Sequence, residues 1–404
     1  MTWPSKRLEE VCQTTSGGTP SRARPEYFGG SIPWIKSGDL TDALVSRCEE
    51  NITEAGLRSS SAKLFPMGTL LVAMYGATVG KLGILSIDAA TNQAICGITP
   101  SRALDSKFLF YFLLSQRKSL IDKSTGGAQP NISQRIIREL QVPVPPRPDQ
   151  LRIVDLLSRA EGIVRLRRQA QQKAAGLIPA LFVAMFGDPA TNPNGWPLRS
   201  VRELVTRFEG GKNLQAGSDG STDFRILKVS AVTSGVYIEA ESKPTPDDYE
   251  PPQNHIVREG DMLFSRANTE ELVGATAIVK STNGRTLLPD KLWRFVWAAP
   301  VEQAFMHALF QSAYVRQELG KLSSGTSASM RNISQAKLFE LRLPVPPLAR
   351  QSAFARHAEA VQSIQSQQAL ALQKATANFD GLLARAFSVD RAAAEVHEAE
   401  GVIA

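Results

Sequence analysis

The chain has 404 residues, 43% hydrophobic and 21% charged, a balance that supports packed cores and excludes an intrinsically disordered chain. Its 46 basic and 39 acidic residues give a formal net charge of +7, compatible with a polyanionic partner. No apolar run approaches the ~18 residues that a membrane span needs. The charged start MTWPSKRLEEVC lacks the apolar core of a signal peptide, so a cytoplasmic protein with no membrane partner is expected. Cys12, Cys48 and Cys96 form no CxxC pair, which excludes a disulfide framework and a zinc finger.

In chain order, the runs 32–40, 68–76 and 82–88 are apolar, bounded by Gly, Asn and Asp, and predict strands. An amphipathic helix is predicted over 107–121. The PVPP segment 143–146 must be extended, because each proline disfavours helix in its predecessor. A long helix follows, with apolar residues at three-four spacing (Ile153, Leu157, Ala160, Val164). Pro179 predicts a bend in it, or a new first turn. The same series then returns: strands over 224–232, 260–266 and 292–298, a helix over 306–320, PVPP at 344–347, and a second long helix.

That return is a duplication. Asn131-Ile132-Ser133-Gln134 recurs as Asn332-Ile333-Ser334-Gln335, Gln150 as Gln351 and Phe186 as Phe387, each 201 residues on. Trp3-Pro4 recurs as Trp196-Pro197, Gly17-Gly18 as Gly210-Gly211 and Lys36 as Lys228, at shifts of 192 to 193. The expected organisation is therefore an α+β globule over 1–146, a spacer helix over 147–187, a second globule over 188–347, a second spacer helix over 348–387, and a tail over 388–404. A long helix with a narrow apolar seam needs a partner, and its duplicate can supply one by packing antiparallel. The expected fold is thus two mixed α/β globules joined by an antiparallel coiled coil, with approximate two-fold symmetry. Residues 1–146 carry 16 basic and 12 acidic groups, while 188–347 carry 18 of each, so charge alone does not identify nucleic acid as the ligand.

Enzymatic chemistry finds no footing. Gly76-Ala77-Thr78-Val79-Gly80-Lys81-Leu82 has too few residues between its glycines for a phosphate loop, and Leu82 stands where the magnesium-binding hydroxyl belongs. The turn Asn192-Pro193-Asn194-Gly195 is the nearest approach to an amino-methyltransferase motif and lacks its Pro-Pro-aromatic. The four histidines are scattered, and no carboxylate cluster with a lysine suggests a nuclease.

Thr15-Ser16-Gly17-Gly18-Thr19-Pro20-Ser21-Arg22, Asn92-Gln93, Gly126-Gly127-x-Gln129-x-Asn131-Ile132-Ser133 and the doubled PVPP-to-helix junction together resemble the specificity subunit of type I restriction-modification systems. The resemblance extends over residues 3–387. It implies a non-catalytic chain whose two globules are target recognition domains, each on one half of a bipartite site in double-stranded DNA, with the helices setting the gap. It implies two methyltransferase subunits as partners, with restriction subunits as a further addition, and it places S-adenosylmethionine in the methyltransferase, leaving this chain without a cofactor. Copy two departs from the pattern: Gly210-Gly211-Lys212-Asn213 lacks the Thr-Pro, and Asp290-Lys291 replaces Asn92-Gln93.

Phosphate contacts position such a reader and base-edge contacts specify. The expected phosphate contacts in copy one are the amides of Gly17, Gly18 and Gly126 with Thr19 and Ser21, and the cations Arg22, Lys36, Lys81 and Arg135. Asn92, Gln93, Gln129 and Asn131 have the donor-acceptor pairs that adenine demands, and Tyr75 beside Gly76 can stack. Copy two offers Lys212, Asn213, Lys228, Arg266, Asn268, Lys291, Arg294, Arg331 and Asn332. Each of these is equally compatible with a turn or an exposed polar position; Asn-Ile-Ser before a helix is an ordinary cap, and Gln150 and Gln351 are expected to fix the hinge. Two other classes stay open at this stage: a coiled-coil interaction scaffold without DNA specificity, and the DNA-reading part of a fused enzyme.

Overall fold

The structure, a computed structural model, describes residues 3–99, 101–123, 131–214, 223–246, 249–327 and 330–388. It divides into two compact units, residues 1–168 with 371–404, and residues 169–370.

In the first unit a five-stranded sheet has the order Thr14–Ser16, Ile95–Ile98, Leu70–Ala73, Leu82–Leu85, Ala43–Val45. Its neighbours are antiparallel except the last pair. A four-stranded sheet (Asn51–Ile52, Phe28–Ile35, Ala89–Thr91, Leu64–Phe65) lies alongside in sequence. The helix Ser106–Asp122 starts where Asp105 accepts N–H bonds from Lys107 and Phe108 at 2.9 and 3.1 Å. It buries Phe108, Tyr111 and Phe112 against Leu70, Val72 and Ile98. Ser5–Arg7 pairs with Gln141–Pro143, Ser5 opposite Pro143, and so ties the two ends of the globule.

The second unit repeats this frame. Leu198–Ser200 pairs with Arg342–Pro344, Leu198 opposite Pro344. Those partners lie 193 and 201 residues beyond Ser5 and Pro143, so the closing register is the same in both. A four-stranded antiparallel sheet has the order Val205–Gly210, Leu292–Trp297, Met262–Ser265, Thr276–Ile278. A three-stranded sheet joins Ala267–Asn268, Met330–Asn332 and Ser324–Ser327.

Two local expectations are corrected. The run 224–232 is strand only over Arg225–Leu227, and Ser230–Thr233 is helical. The single helix expected over 306–320 is two, Gln303–Gln311 and Ala313–Leu322. Ser312 between them is extended, and its hydroxyl caps the second helix by accepting from Val315 N–H. The first long helix takes a new first turn at Pro179, as expected, and divides into Arg147–Ala175 and Leu177–Phe186. The break falls at Gly176, and Pro179 occupies the first turn of the second piece, where no intrahelical N–H is needed. At 1.5 Å per residue the pieces are about 44 and 15 Å long, against about 60 Å for the unbroken Leu348–Phe387.

Within each unit the start of one long helix and the end of the other share a core. In the first unit Leu157 is buried with Leu383 and Ala386, and Phe387 meets Phe108 and Phe112 edge-on at 5.5 and 5.6 Å. In the second unit Phe354 packs against Phe182 and Phe186 at 5.7 and 5.6 Å, and Gln365 Nε2 donates to the carbonyl of Ala174 at 2.8 Å.

Candidate nucleic-acid interface

Strand direction gathers dispersed residues at one end of the first unit's large sheet. Gly17–Thr19 leave the strand that ends at Ser16, Asn92–Ala94 enter the antiparallel strand Ile95–Ile98, and Tyr75 follows Leu70–Ala73. Thr19 Oγ1 donates to Gln93 Oε1, and a β-bridge joins Tyr75 to Asn131. Ile132 N–H donates to the carbonyl of Met74 at 2.9 Å. Tyr75 is 40% exposed, and Asn131 is exposed beside it.

The second unit builds the corresponding end with the same backbone bonds. Ile333 N–H donates to the carbonyl of Arg266 at 2.9 Å, and Ala267 pairs with Asn332 where copy one pairs Tyr75 with Asn131. Gly211 N–H donates to Pro289 at 3.0 Å, as Gly18 N–H does to Thr91 at 2.9 Å. The frame is duplicated while the side chains on it differ: Tyr75 becomes Ala267, Gly76 becomes Asn268 and Asn92-Gln93 becomes Asp290-Lys291.

Several expected phosphate contacts take other roles. The amides of Gly17 and Gly18 donate internally, to Ile95 and Thr91 at 3.1 and 2.9 Å, so neither N–H is available to a phosphate. These glycines serve close packing: a Cβ on Gly17 would lie 2.1 Å from Thr91 Oγ1, and one on Gly211 1.7 Å from the Leu288 carbonyl oxygen. Arg22 makes a bidentate pair with Glu50 at 2.7 and 2.8 Å and lies over the rings of Phe28 and Trp34 at 4.3 and 5.3 Å. The Arg22 guanidinium holds the Glu50 carboxyl at about 2. Lys36 pairs with Glu49 and Glu50 at 3.0 and 3.5 Å, so its charge is compensated as well. Lys81 pairs with Asp42 at 3.1 Å. The correction is largest for Arg294. It is 5% exposed and bonds Glu209, Asp261 and the carbonyls of Asn254 and Ile256 at 2.7 to 3.2 Å, which makes it a core ion pair.

The remaining residues keep a surface role. Lys212, Asn213 and Lys228 are exposed, and Lys291 is half-buried with no ion pair among the described residues. Arg135 is exposed and reaches Glu139 only at 3.9 Å. Arg266 leans on Trp293 and bonds Asp290, its Nε to the carbonyl at 2.6 Å. Arg331 bonds Ser323 Oγ and the carbonyl of Gly325 at 3.2 and 3.3 Å, bracing the Ser324–Asn332 hairpin. Ser21 lies on the exposed loop that leads into Arg22. Asn92 Oδ1 and Asn268 Nδ2 are buried without a hydrogen-bond partner among the described residues. Gly126 and Gln129 lie outside the described residues. Sequence reasoning missed Glu50, which no motif marks, and the bonding role of Gln134, whose amide links Ser16 and Thr14 at 3.0 and 3.2 Å. Its recurrence as Gln335 was the available signal. Among the described residues no His, Cys, Asp or Glu group is arranged to hold a metal. No described helix is long and apolar enough to cross a membrane.

Comparison with known proteins gives the class of this arrangement. A solved protein from work on complex assembly and conformational transition of the type I R-M system superposes with a TM-score of 0.62 at 17% identity, over 96% of this chain and 97% of that one. The type I restriction-modification S subunit of M. genitalium superposes with a TM-score of 0.55 at 14% identity, over 96% of each chain. At such identities the likeness establishes a shared fold, that of type I S subunits.

Sequence comparison points to the same class of protein. The model for the type I restriction modification DNA specificity domain matches residues 1–174. The type I restriction enzyme MjaIX specificity subunit of Methanocaldococcus jannaschii is 27% identical over 260 residues, 59% of this chain. That match spans 60% of the relative's own length. Over these spans the chain is similar to type I restriction-modification specificity subunits.

Proposed function

We propose that this chain is the DNA-recognition subunit of a type I restriction-modification complex and carries no catalysis of its own. Each unit reads one half of a bipartite site in double-stranded DNA through the loop end of its large sheet. The two long helices run antiparallel as a coiled coil, with the units related by an approximate two-fold axis, and their length sets the gap between half-sites. On this reading the units correspond to recognition domains 1–146 and 188–347, the helices to spacers 147–187 and 348–387. Two methyltransferase subunits, which bring S-adenosylmethionine, dock on it, with restriction subunits as a further addition, in the cytoplasm.

The observation that carries this reading is the repeated loop frame with unlike side chains. An inherited backbone that presents Tyr75, Asn92 and Asn131 in one copy, and Asn268, Lys291 and Asn332 in the other, suits two readers of different base sequences. The shared cores of Leu157 with Leu383 and of Phe354 with Phe186 support antiparallel helices, since each unit holds the start of one and the end of the other.

The test is to map modified adenines in cells carrying this chain with its methyltransferase. A bipartite motif that disappears when this chain is deleted is the expected result. Methylation unchanged by the deletion, or DNA binding of the complex that is insensitive to salt, would return the chain to the class of protein scaffolds.

A further inference from the structure

We propose that Arg117 and Arg316 are positioning residues for base readout, each locking the loop that follows the contact-bearing position of its own unit onto that unit's globular helix. The inference rests on the DNA-reading function above and names a part of its machinery that no sequence motif marks.

In the first unit Tyr75 and Gly76 lead into a turn that closes at Gly80, whose φ of +78° is left-handed and whose N–H donates to the carbonyl of Ala73 at 2.9 Å. Arg117, from the helix Ser106–Asp122, donates from Nε to the carbonyl of Gly80 at 2.9 Å. Its stem covers the glycine so closely that a Cβ there would lie 3.3 Å from Arg117 Cγ. Its other nitrogen bonds Asp42, and Asp42 in turn accepts from Leu82 N–H at 2.9 Å and from Lys81 Nζ at 3.1 Å. Both ends of the turn are thereby fixed.

The second unit repeats the arrangement with different residues. Asn268 leads into a loop that closes at Gly274, with φ +82° and an N–H donating to the carbonyl of Ser265 at 2.7 Å. Arg316, from the helix Ala313–Leu322, donates from Nη2 to the carbonyl of Glu271 at 2.6 Å. A Cβ on Gly274 would lie 3.1 Å from Arg316 Nη1. Among the described residues that Nη1 is buried with no hydrogen-bond partner, and no carboxylate pairs with Arg316. A guanidinium with one nitrogen buried and no counter-charge among the described residues is costly to keep, and the loop contact is what it makes in return.

The pair follows the duplication. Arg117 and Arg316 hold the same place in the repeated segments 107–121 and 306–320, ten residues after the first. In the second unit the helix breaks at Ser312, yet Arg316 on the second piece still reaches the loop. Each unit therefore brings the equivalent arginine to the equivalent loop, so the clamp belongs to the inherited frame while the residues it positions differ. A clamp that fixes loop geometry without meeting the bases should set how sharply wrong bases are rejected, since small displacements of a readout loop misalign its bidentate hydrogen bonds.

The experiment uses the full chain assembled with its methyltransferase and maps the modified sites for Arg117→Met and Arg316→Met. The expected result is reciprocal: Arg117→Met makes one half of the site degenerate and leaves the other intact, and Arg316→Met does the converse. Rejection of a single mismatch in the affected half should fall roughly tenfold, about 1.4 kcal/mol. Arg117→Lys and Arg316→Lys, which keep a donor for the carbonyl, should restore part of it. They also decide the matter if a methionine variant fails to assemble. Wild type with a bipartite site and all variants equally faithful, or both halves relaxing together, overturns the clamp alone. A wild-type complex with no bipartite site overturns the function reading and the clamp with it.

Discussion

The side-chain carbonyl of Gln150 accepts the backbone N–H of Asp105 at 2.8 Å, joining the first turn of a long helix to the cap of a globular helix 45 residues earlier in the chain. The same glutamine donates to the carbonyls of Ala103 and Pro145 at 2.8 and 2.9 Å, and it is 1% exposed. Gln351 repeats the joint, accepting from Glu302 N–H at 3.0 Å and donating to Pro346 at 2.8 Å. A buried amide that satisfies both its donor and its acceptor functions in this way fixes the direction in which the helix leaves the globule.

Gln150→Leu removes that amide while filling its space. Leaving the Asp105 N–H buried without a partner should destabilise the first unit by about 1–3 kcal/mol, and Gln351→Leu should do the same to the second. Urea denaturation of the chain checks this: a lowered midpoint is expected, and an unchanged one would show that water replaces the amide.

Arg294→Met leaves Glu209 and Asp261 facing each other in the core of the second unit. The expected loss is roughly 3–5 kcal/mol. Below its melting temperature the variant complex should retain the salt dependence of DNA binding, because Arg294 meets no phosphate.

Lys212→Gln and Lys291→Gln test the opposite role. If each side chain neutralises one phosphate, the slope of log K against log salt should become shallower by about 0.9 per substitution. Affinity should fall evenly on cognate and unrelated DNA, and a change in sequence preference would instead make the residue a base reader.

The Glu50 carboxyl, held at about 2 by Arg22, sets a pH window. Its pKa is depressed on folding, so the Arg22–Glu50 link is fully present above the ordinary carboxylate value of 4.5 and is lost as pH falls through about 2. Carboxyl NMR of the chain should find Glu50 still ionised at pH 4, and Glu50→Gln should weaken DNA binding by loosening the loop that carries Arg22. Tighter binding by Glu50→Gln would mean that Arg22 is a phosphate ligand restrained by Glu50.

Exchanging residues 1–146 for the matching region of a relative should alter one half of the modified site. Sequencing methylated bases decides it, and a change in both halves would defeat the modular arrangement.

Duplication, helix and turn were legible in the residues themselves because they depend on local pattern: proline geometry marks the junctions at 143–146 and 344–347, and three-four spacing marks the long helices. The break at Ser312 was not, since the apolar spacing runs through it and only the extended backbone with its cap reveals the second start. Which charges stand free was decided by the tertiary structure alone. Arg22, Lys36 and Arg294 look like phosphate ligands in sequence, but strand pairing brings them to Glu50, Glu49, Glu209 and Asp261, partners up to 85 residues away. A cation's role depends on what lies within a few ångströms of it, and that neighbourhood is created by long-range packing, which no local spacing records.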